Sequence, residues 1–363
     1  MEQDIVKEKR WRLLQVESAI SCNLHCIMCP WKKIRSDLDN SGLLSEKTWE
    51  AIRPYLPDIR SIDFSGGGEP LLQPLLLDWI IEAKRADCEV GFLTNGVLLQ
   101  EDLAKQFILA GVDWICISID GATADVYQQI RLGSTFDLVC ENIGNAVKIR
   151  GNNTPKIMIN VVLLPMNIHQ IEDVVRLAAH LGVDQINFKH CDVSRGEHGK
   201  NLGLFASEKN NEIRRLEKEL SKARKLAQKL KINTTAFAFT PDEQSVCDQD
   251  PRHSLYIRYD GAVAPCINLA FGGQTAFLGQ QVTMPTIHFG CLPDNDLMDL
   301  WEGKACTLYR KRFQKRVEAL DNALLNSLIG VSGANHQKIL KAAKKMMPLA
   351  PDGCNMCHYL YNI

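Results

Sequence analysis

Three cysteines, Cys22, Cys26 and Cys29, stand within eight residues in the stretch Cys22-Asn23-Leu24-His25-Cys26-Ile27-Met28-Cys29-Pro30. Thiols this closely spaced cannot cross-link among themselves without strain, and they leave a tetrahedral metal one ligand short. A structural zinc site would therefore need a fourth ligand from elsewhere. A [4Fe–4S] cube satisfies the count differently, with three irons held by thiolates and one iron open to another molecule.

A second set lies far along the chain: Cys247, Cys266, Cys291, Cys306, Cys354 and Cys357. Cys354-Asn355-Met356-Cys357 is a C-x2-C pair, a spacing that suits one metal site. The segment from Ser254 to Cys266 reads as two short strands around the turn Asp260-Gly261, a hairpin able to hold one thiol at its end and face another just before it. Cys88, Cys116 and Cys140 lie in apolar surroundings and read as core residues. None of the histidines, His25, His253, His288 and His358 included, is assigned as a ligand.

The elements that position these groups follow a repeated β–α order. Strand-like runs at Leu13–Glu17, Ser61–Phe64, Val90–Thr94, Trp114–Ile119, Ile157–Leu164 and Gln185–Lys189 alternate with helical patterns, from one opening at Ser45 to a long charged run over Glu208–Leu230. Such alternation predicts an α/β fold, a parallel sheet closed as a partial (β/α)6 TIM-like barrel with its site at the C-terminal strand ends. The barrel is expected over residues 1–235. A small α+β auxiliary domain is expected over 236–363, with a helical insertion near 313–347 as a lid or packing.

Composition narrows the function classes. A hydrophobic fraction of 45% with 23% charged residues is that of a soluble globular protein, and a formal net charge of −1 leaves no nucleic-acid footprint. Residues 1–10 have no apolar signal core, and the most apolar stretch, Leu71 to Ile81, is too short and interrupted to span a bilayer. The expected location is cytoplasmic, with no membrane and no nucleic-acid partner, so the 13 cysteines read as metal ligands and core thiols.

The C-x3-C-x2-C spacing resembles the signature of the radical SAM superfamily, whose open iron takes the amino and carboxylate groups of S-adenosyl-L-methionine. The residue before the last cysteine is commonly aromatic there and packs near the adenine. Here it is Met28, apolar and polarizable, which could fill that place. The family's Gly-Gly-Glu-Pro motif, which contacts the amino group of the cofactor, matches Gly67, Gly68, Glu69 and Pro70 at the end of the second strand. Ser118 and Asp120 resemble the fourth-strand positions that bind the cofactor ribose, Arg131 resembles an arginine that meets its carboxylate, and Asn95 is a further contact at the third strand end. The plain alternatives are a turn at Asp120-Gly121 and a surface helix position for Arg131.

Cys247, Gly261 and Cys266 resemble the opening of the SPASM and twitch domains appended to radical SAM enzymes, as do Gly290, Asp296, Leu297 and Trp301 after it. The full seven-cysteine pattern is absent, so the resemblance implies one auxiliary [4Fe–4S] cluster, held by Cys247, Cys266, Cys354 and Cys357. Cys291 and Cys306 are then spare, and a four-cysteine zinc site would use the same spacings. By resemblance, an external one-electron reductant such as flavodoxin or ferredoxin feeds the first cluster, S-adenosylmethionine is cleaved, and a 5′-deoxyadenosyl radical takes a hydrogen atom from substrate. The expected substrate is a small polar molecule, dehydrogenated or epimerised. A peptide- or protein-modifying maturase and a non-catalytic iron–sulfur scaffold are the alternatives. Only 21 residues precede Cys22, which favours the small molecule. At the sixth strand end, Cys191 could return a hydrogen atom, with Lys189 or Asp192 as a base; a buried packing role is the plain reading of Cys191.

Overall fold

The computed structural model describes residues 9–38, 41–152, 154–191, 202, 210–329 and 336–363. Strand β1 (Leu13–Val16) leads through the cysteine loop to helices α1 (Lys32–Ser36) and α2 (Glu46–Ile52). The Ser45 side chain caps α2 by accepting from Thr48 N–H at 3.1 Å, and Glu46 in the first turn suits the positive end of the helix. There follow β2 (Ser61–Asp63), α3 (Leu76–Arg85), β3 (Glu89–Thr94), α4 (Glu101–Leu109) and β4 (Trp114–Ser118). The chain continues through α5 (Ala124–Ile130), α6 (Phe136–Arg150), β5 (Lys156–Leu163), α7 (Ile171–Leu181), β6 (Gln185–His190), α8 (Asn210–Lys229) and β7 (Asn233–Ala236).

Strands β1 to β7 pair in order, all parallel, so the six expected strands are joined by one more after α8. Period-2 alternation sorts their side chains. In β5, Ile157, Ile159, Val161 and Leu163 are buried in the apolar core, whereas Met158, Asn160 and Val162 line an interior cavity. The layer between sheet and helices therefore holds the hydrophobic core, including the stacked pair Trp49 and Trp79 from α2 and α3. The barrel interior is left to other residue types.

The remaining elements are β8 (Ser254–Ile257), β9 (Ala262–Ala264), α9 (Ile267–Phe271), β10 (Gly273–Phe277), β11 (Gln280–Met284), β12 (Gly290–Cys291), α10 (Leu297–Glu302), α11 (Lys304–Ile329) and α12 (His336–Lys344). Strand β8 pairs parallel with β1, Leu13 against Ser254 through Val16 against Ile257, and β9 and β12 extend it antiparallel. One ten-stranded sheet results, in the order β12-β9-β8-β1-β2-β3-β4-β5-β6-β7. The hairpin thus covers the edge that β1 would otherwise leave as a row of unpaired backbone groups. The helical insertion expected near 313–347 begins earlier, since α11 is continuous from Lys304. Its Phe313 and Arg316 are buried, and Arg316 donates to Ser245 O, Gln244 O and the Glu243 carboxylate. No described helix is long and apolar enough to cross a membrane.

Candidate active site

The cysteine loop is held by backbone pairing. His25 N–H donates to Leu132 O and Ile27 N–H to Ile130 O, both at 3.0 Å, which seats the loop against the end of α5. Donors then converge on the sulfurs. Leu24 N–H reaches Cys22 Sγ at 3.4 Å, Arg35 Nη2 reaches Cys29 Sγ at 3.3 Å, and Asn95 Nδ2 and Arg131 Nη1 stand 3.8 and 3.9 Å from Cys22 and Cys26 Sγ. Burial pushes the Cys22 thiol up and that of Cys26 to about 11, against the pull of the Arg35 and Arg131 charges. Thiols so placed need a strong positive partner to ionise, and a cluster iron supplies one.

The glycine run after β2 lies directly on this loop. Gly68 packs so closely that a Cβ would sit 2.3 Å from Ser21 O, and one on Gly67 would meet Ile20 and Trp31. Glu69 N–H donates to Ser21 O at 2.8 Å, and Arg35 Nη1 donates to Gly67 O at 2.9 Å while its Nη2 holds Cys29. The Glu69 carboxylate is consumed locally: it accepts from Leu71 N–H, Thr94 Oγ1 and Asn95 N–H at 3.1, 2.7 and 2.7 Å. Gly67, Gly68 and Glu69 line the cavity, as do Met28, Asn95, Ser118 and Arg131. Pro70 is not among its lining residues and starts a short 3-10 turn behind the loop.

Asp120 departs from its expected role. It is fully buried, one oxygen accepting from Arg131 Nε and the other from Val162 N–H, both at 2.7 Å, and it does not line the cavity. Asp120 thus fixes Arg131, and its side chain is not part of the cavity wall where a ribose would lie. The plain reading of Arg131 as a surface residue is likewise set aside, because the guanidinium is buried in this ion pair beside Cys26.

The second set gathers four of its six thiols. Cys247, Cys266, Cys354 and Cys357 line the same cavity as the first three and share an apolar cluster with Leu269, Tyr309 and Phe313. Burial raises the Cys266 and Cys354 thiols; Cys266 also feels Cys357 and Cys247, and Cys354 feels Cys266, Cys357 and Cys247. Tyr309 Oη lies 3.0 Å from Cys354 Sγ and Asn268 Nδ2 donates to Cys357 Sγ at 3.7 Å. Cys291 and Cys306 stand apart, the first beside Asp260 O at 3.4 Å and the second beside Arg310. Among the described residues no three His, Cys, Asp or Glu converge tightly enough for a single metal ion.

Of the residues expected to act on substrate, Lys189 and Cys191 line the cavity. Lys189 Nζ lies 4.2 Å from the centre of the Phe237 ring, and Cys191 is half-buried in the apolar cluster that includes the cysteine loop. Asp192 lies outside the described residues. The sequence reading passed over the interior wall itself: Gln15, Asp63, Ser65, Asn160 and Asn187 also line the cavity. Their signal was available as polar residues at alternate positions of otherwise apolar strands. Glu17 was missed as well. Its two oxygens accept from Gly67 N–H at 2.6 Å and from Tyr259 N–H at 3.1 Å, tying the glycine run to the β8–β9 hairpin.

These surroundings fit a cluster and its cofactor, since N–H donors aim at the sulfurs and the Gly67–Gly68 backbone, packed against the cysteine loop, lines the same cavity. Residues 16–178 match the model of the radical SAM superfamily, and residues 247–321 match that of an iron–sulfur cluster-binding domain, SPASM. The chain is similar to the tungsten-containing aldehyde ferredoxin oxidoreductase cofactor-modifying protein of Pyrococcus furiosus, 27% identical over 306 residues, or 82% of this chain and 83% of that protein. It is similar to a probable GTP 3′,8-cyclase of Saccharolobus solfataricus, 28% identical over 212 residues, 58% of this chain and 64% of that one. Among solved structures, Streptococcus suis SuiB bound to S-adenosylmethionine shares the fold, with a TM-score of 0.62 at 15% identity over 83% of this chain and 68% of that one.

Proposed function

We propose that this chain, which belongs to the radical SAM superfamily and carries a C-terminal iron–sulfur cluster-binding domain, removes a hydrogen atom from a small polar molecule held inside its barrel. The observation that carries this reading is one cavity of about 780 Å³, reaching from the cysteine loop along the polar barrel wall to the second cysteine set. That volume has to hold the cofactor as well as the substrate, which leaves room for a small molecule. The named action of the Pyrococcus relative on a cofactor favours a small molecule over a peptide side chain.

When bound, the cluster and S-adenosylmethionine, with an external one-electron reductant, supply a 5′-deoxyadenosyl radical as hydrogen-atom acceptor. Cys22, Cys26 and Cys29 would hold that cluster, leaving one iron for the cofactor. The Gly67–Gly68 backbone, Asn95 and Ser118 would hold the cofactor, and Arg131, fixed by Asp120, would meet its carboxylate. Cys247, Cys266, Cys354 and Cys357 would hold the auxiliary cluster with no iron left open, which suits it to electron transfer or structure rather than substrate binding.

The barrel wall has to fix one C–H bond beside the radical and keep water out, because position decides which hydrogen is lost. Cys191 would give its Sγ hydrogen atom to the substrate radical, and the thiyl left behind would regain one electron from the external reductant and one proton from solvent, making the net reaction an epimerisation. Without that donation, a substrate radical that gives up one electron, for which the auxiliary cluster would be the acceptor, and one proton, for which Lys189 would be the base, would become a dehydrogenated product.

The test is 5′-deoxyadenosine formation by anaerobically reconstituted protein with candidate small polar substrates, run in deuterated water. The donor role predicts a product carrying one deuterium, and loss of that incorporation in Cys191→Ala. Oxidised product at unchanged yield in Cys191→Ala would replace epimerisation with dehydrogenation.

A further inference from the structure

Two acceptor oxygens on neighbouring strands lack partners inside the barrel. Gln15 on β1 and Asp63 on β2 are register partners, and both line the cavity. Asp63 Oδ1 accepts from Ser65 N–H at 3.0 Å and from the Ser65 hydroxyl, which itself accepts from Leu93 N–H at 2.7 Å. Among the described residues, Oδ2 has no hydrogen bond and no cationic side chain pairs with the carboxylate. Gln15 Nε2 donates to Ser65 O at 3.1 Å, whereas its Oε1 is buried without a partner.

A half-buried carboxylate that faces a cavity with only neutral donors is electrostatically incomplete, and a buried carbonyl oxygen without a donor costs free energy as well. Burial raises the Asp63 carboxyl to about 6, the direction expected where no cation offsets the loss of water. Adjacent strands stand about 4.8 Å apart. A single ammonium nitrogen between these side chains can donate to both oxygens at about 2.8 Å. A carboxylate or phosphate there would instead face two acceptors.

We propose that Gln15 and Asp63 form the recognition site for the ammonium group of an amine-bearing substrate. The assignment rests on the radical SAM reading and narrows its substrate class. It places the amine on the β1–β2 wall, the side of the cavity that also carries the glycine run.

The experiment uses the full-length, cluster-reconstituted protein and three probes on one ring: glucosamine, glucose and glucuronate, titrated calorimetrically at pH 7.5. Glucosamine is expected to bind at least tenfold more tightly than glucose, with glucuronate weakest. Asp63→Asn keeps the Ser65 contacts and should abolish that preference while still binding S-adenosylhomocysteine. Gln15→Met should weaken it several-fold. Equal binding of the three probes, a preference that survives Asp63→Asn, or joint loss of S-adenosylhomocysteine and glucosamine in that variant would overturn the inference. The last result would assign the carboxylate to the cofactor. Failure of the wild-type protein to bind S-adenosylhomocysteine would be a separate matter and would overturn the radical SAM reading itself.

Discussion

Gly68 and Ser21 touch backbone to backbone. The space a Cβ would need on Gly68 is taken by the Ser21 carbonyl, 2.3 Å away, and the next amide, Glu69 N–H, donates to that oxygen at 2.8 Å. The glycine run and the residue before the first cysteine are therefore held as one unit.

Gly68→Ala should push these segments apart. Overpacking against backbone predicts a loss of about 1–3 kcal/mol in stability, with weaker binding of S-adenosylhomocysteine. Gly144→Ala is the control, because nothing lies within 4 Å of a Cβ there, inside α6. It should gain about 0.5–1 kcal/mol from helix propensity. Thermal unfolding and calorimetric titration of both variants check the pair.

Iron content separates the two cysteine sets. Native protein reconstituted without oxygen should hold two cubes, about eight irons. Replacing Cys22, Cys26 and Cys29 together with Ala should remove about four irons and all cleavage of S-adenosylmethionine. Replacing Cys354 and Cys357 should remove the other four and spare some cleavage. 5′-Deoxyadenosine from the triple variant would contradict the assignment of the first set, and one zinc with four irons in native protein that of the second.

Glu17 makes stability depend on pH. Burial raises its carboxyl from 4.5 to about 7, only partly offset by the amides of Gly67 and Tyr259. Between those values the folded chain holds a proton that the unfolded chain has released. Its contribution is thus full below pH 4.5 and is lost as pH rises through about 7. At about 1.36 kcal/mol per unit, the wild-type advantage over Glu17→Gln should shrink by about 3 kcal/mol from pH 4.5 to 8. Denaturant unfolding of both proteins across that range measures it, and a constant difference would refute the assignment.

Asp120 and Arg131 form a buried pair whose halves should not be separable. Asp120→Ala leaves the guanidinium enclosed and uncompensated, at a cost of about 3–5 kcal/mol. Adding Arg131→Met should recover most of that stability, since it removes the stranded charge. The double variant should nevertheless bind S-adenosylhomocysteine poorly, with the carboxylate partner gone. Equal stability of the single and double variants would argue against the pairing.

Much of the fold was legible because local spacing encodes it. Three thiols in eight residues, a glycine run at a strand end and apolar runs alternating with helical periods each act within a few turns of chain. Ser45 before α2 is legible for the same reason, as a cap needs only its own first turn. The partial barrel followed from such signals.

The sequence alone determined which groups could do chemistry here and at which strand ends they stand. Only the tertiary structure decided their partners. Asp120 sits where a ribose contact is expected, yet Arg131 and the Val162 amide occupy its oxygens. Cys266 and Cys354 lie 88 residues apart and share a wall, while Cys291, nearer to Cys266, faces Asp260. Gln15 and Asp63 become neighbours through the register of β1 and β2, and β8 reaches β1 from more than 200 residues away. Those pairings depend on how the sheet assembles, and its assembly is set by burying the apolar faces of all its strands together, a condition that no short stretch of sequence carries.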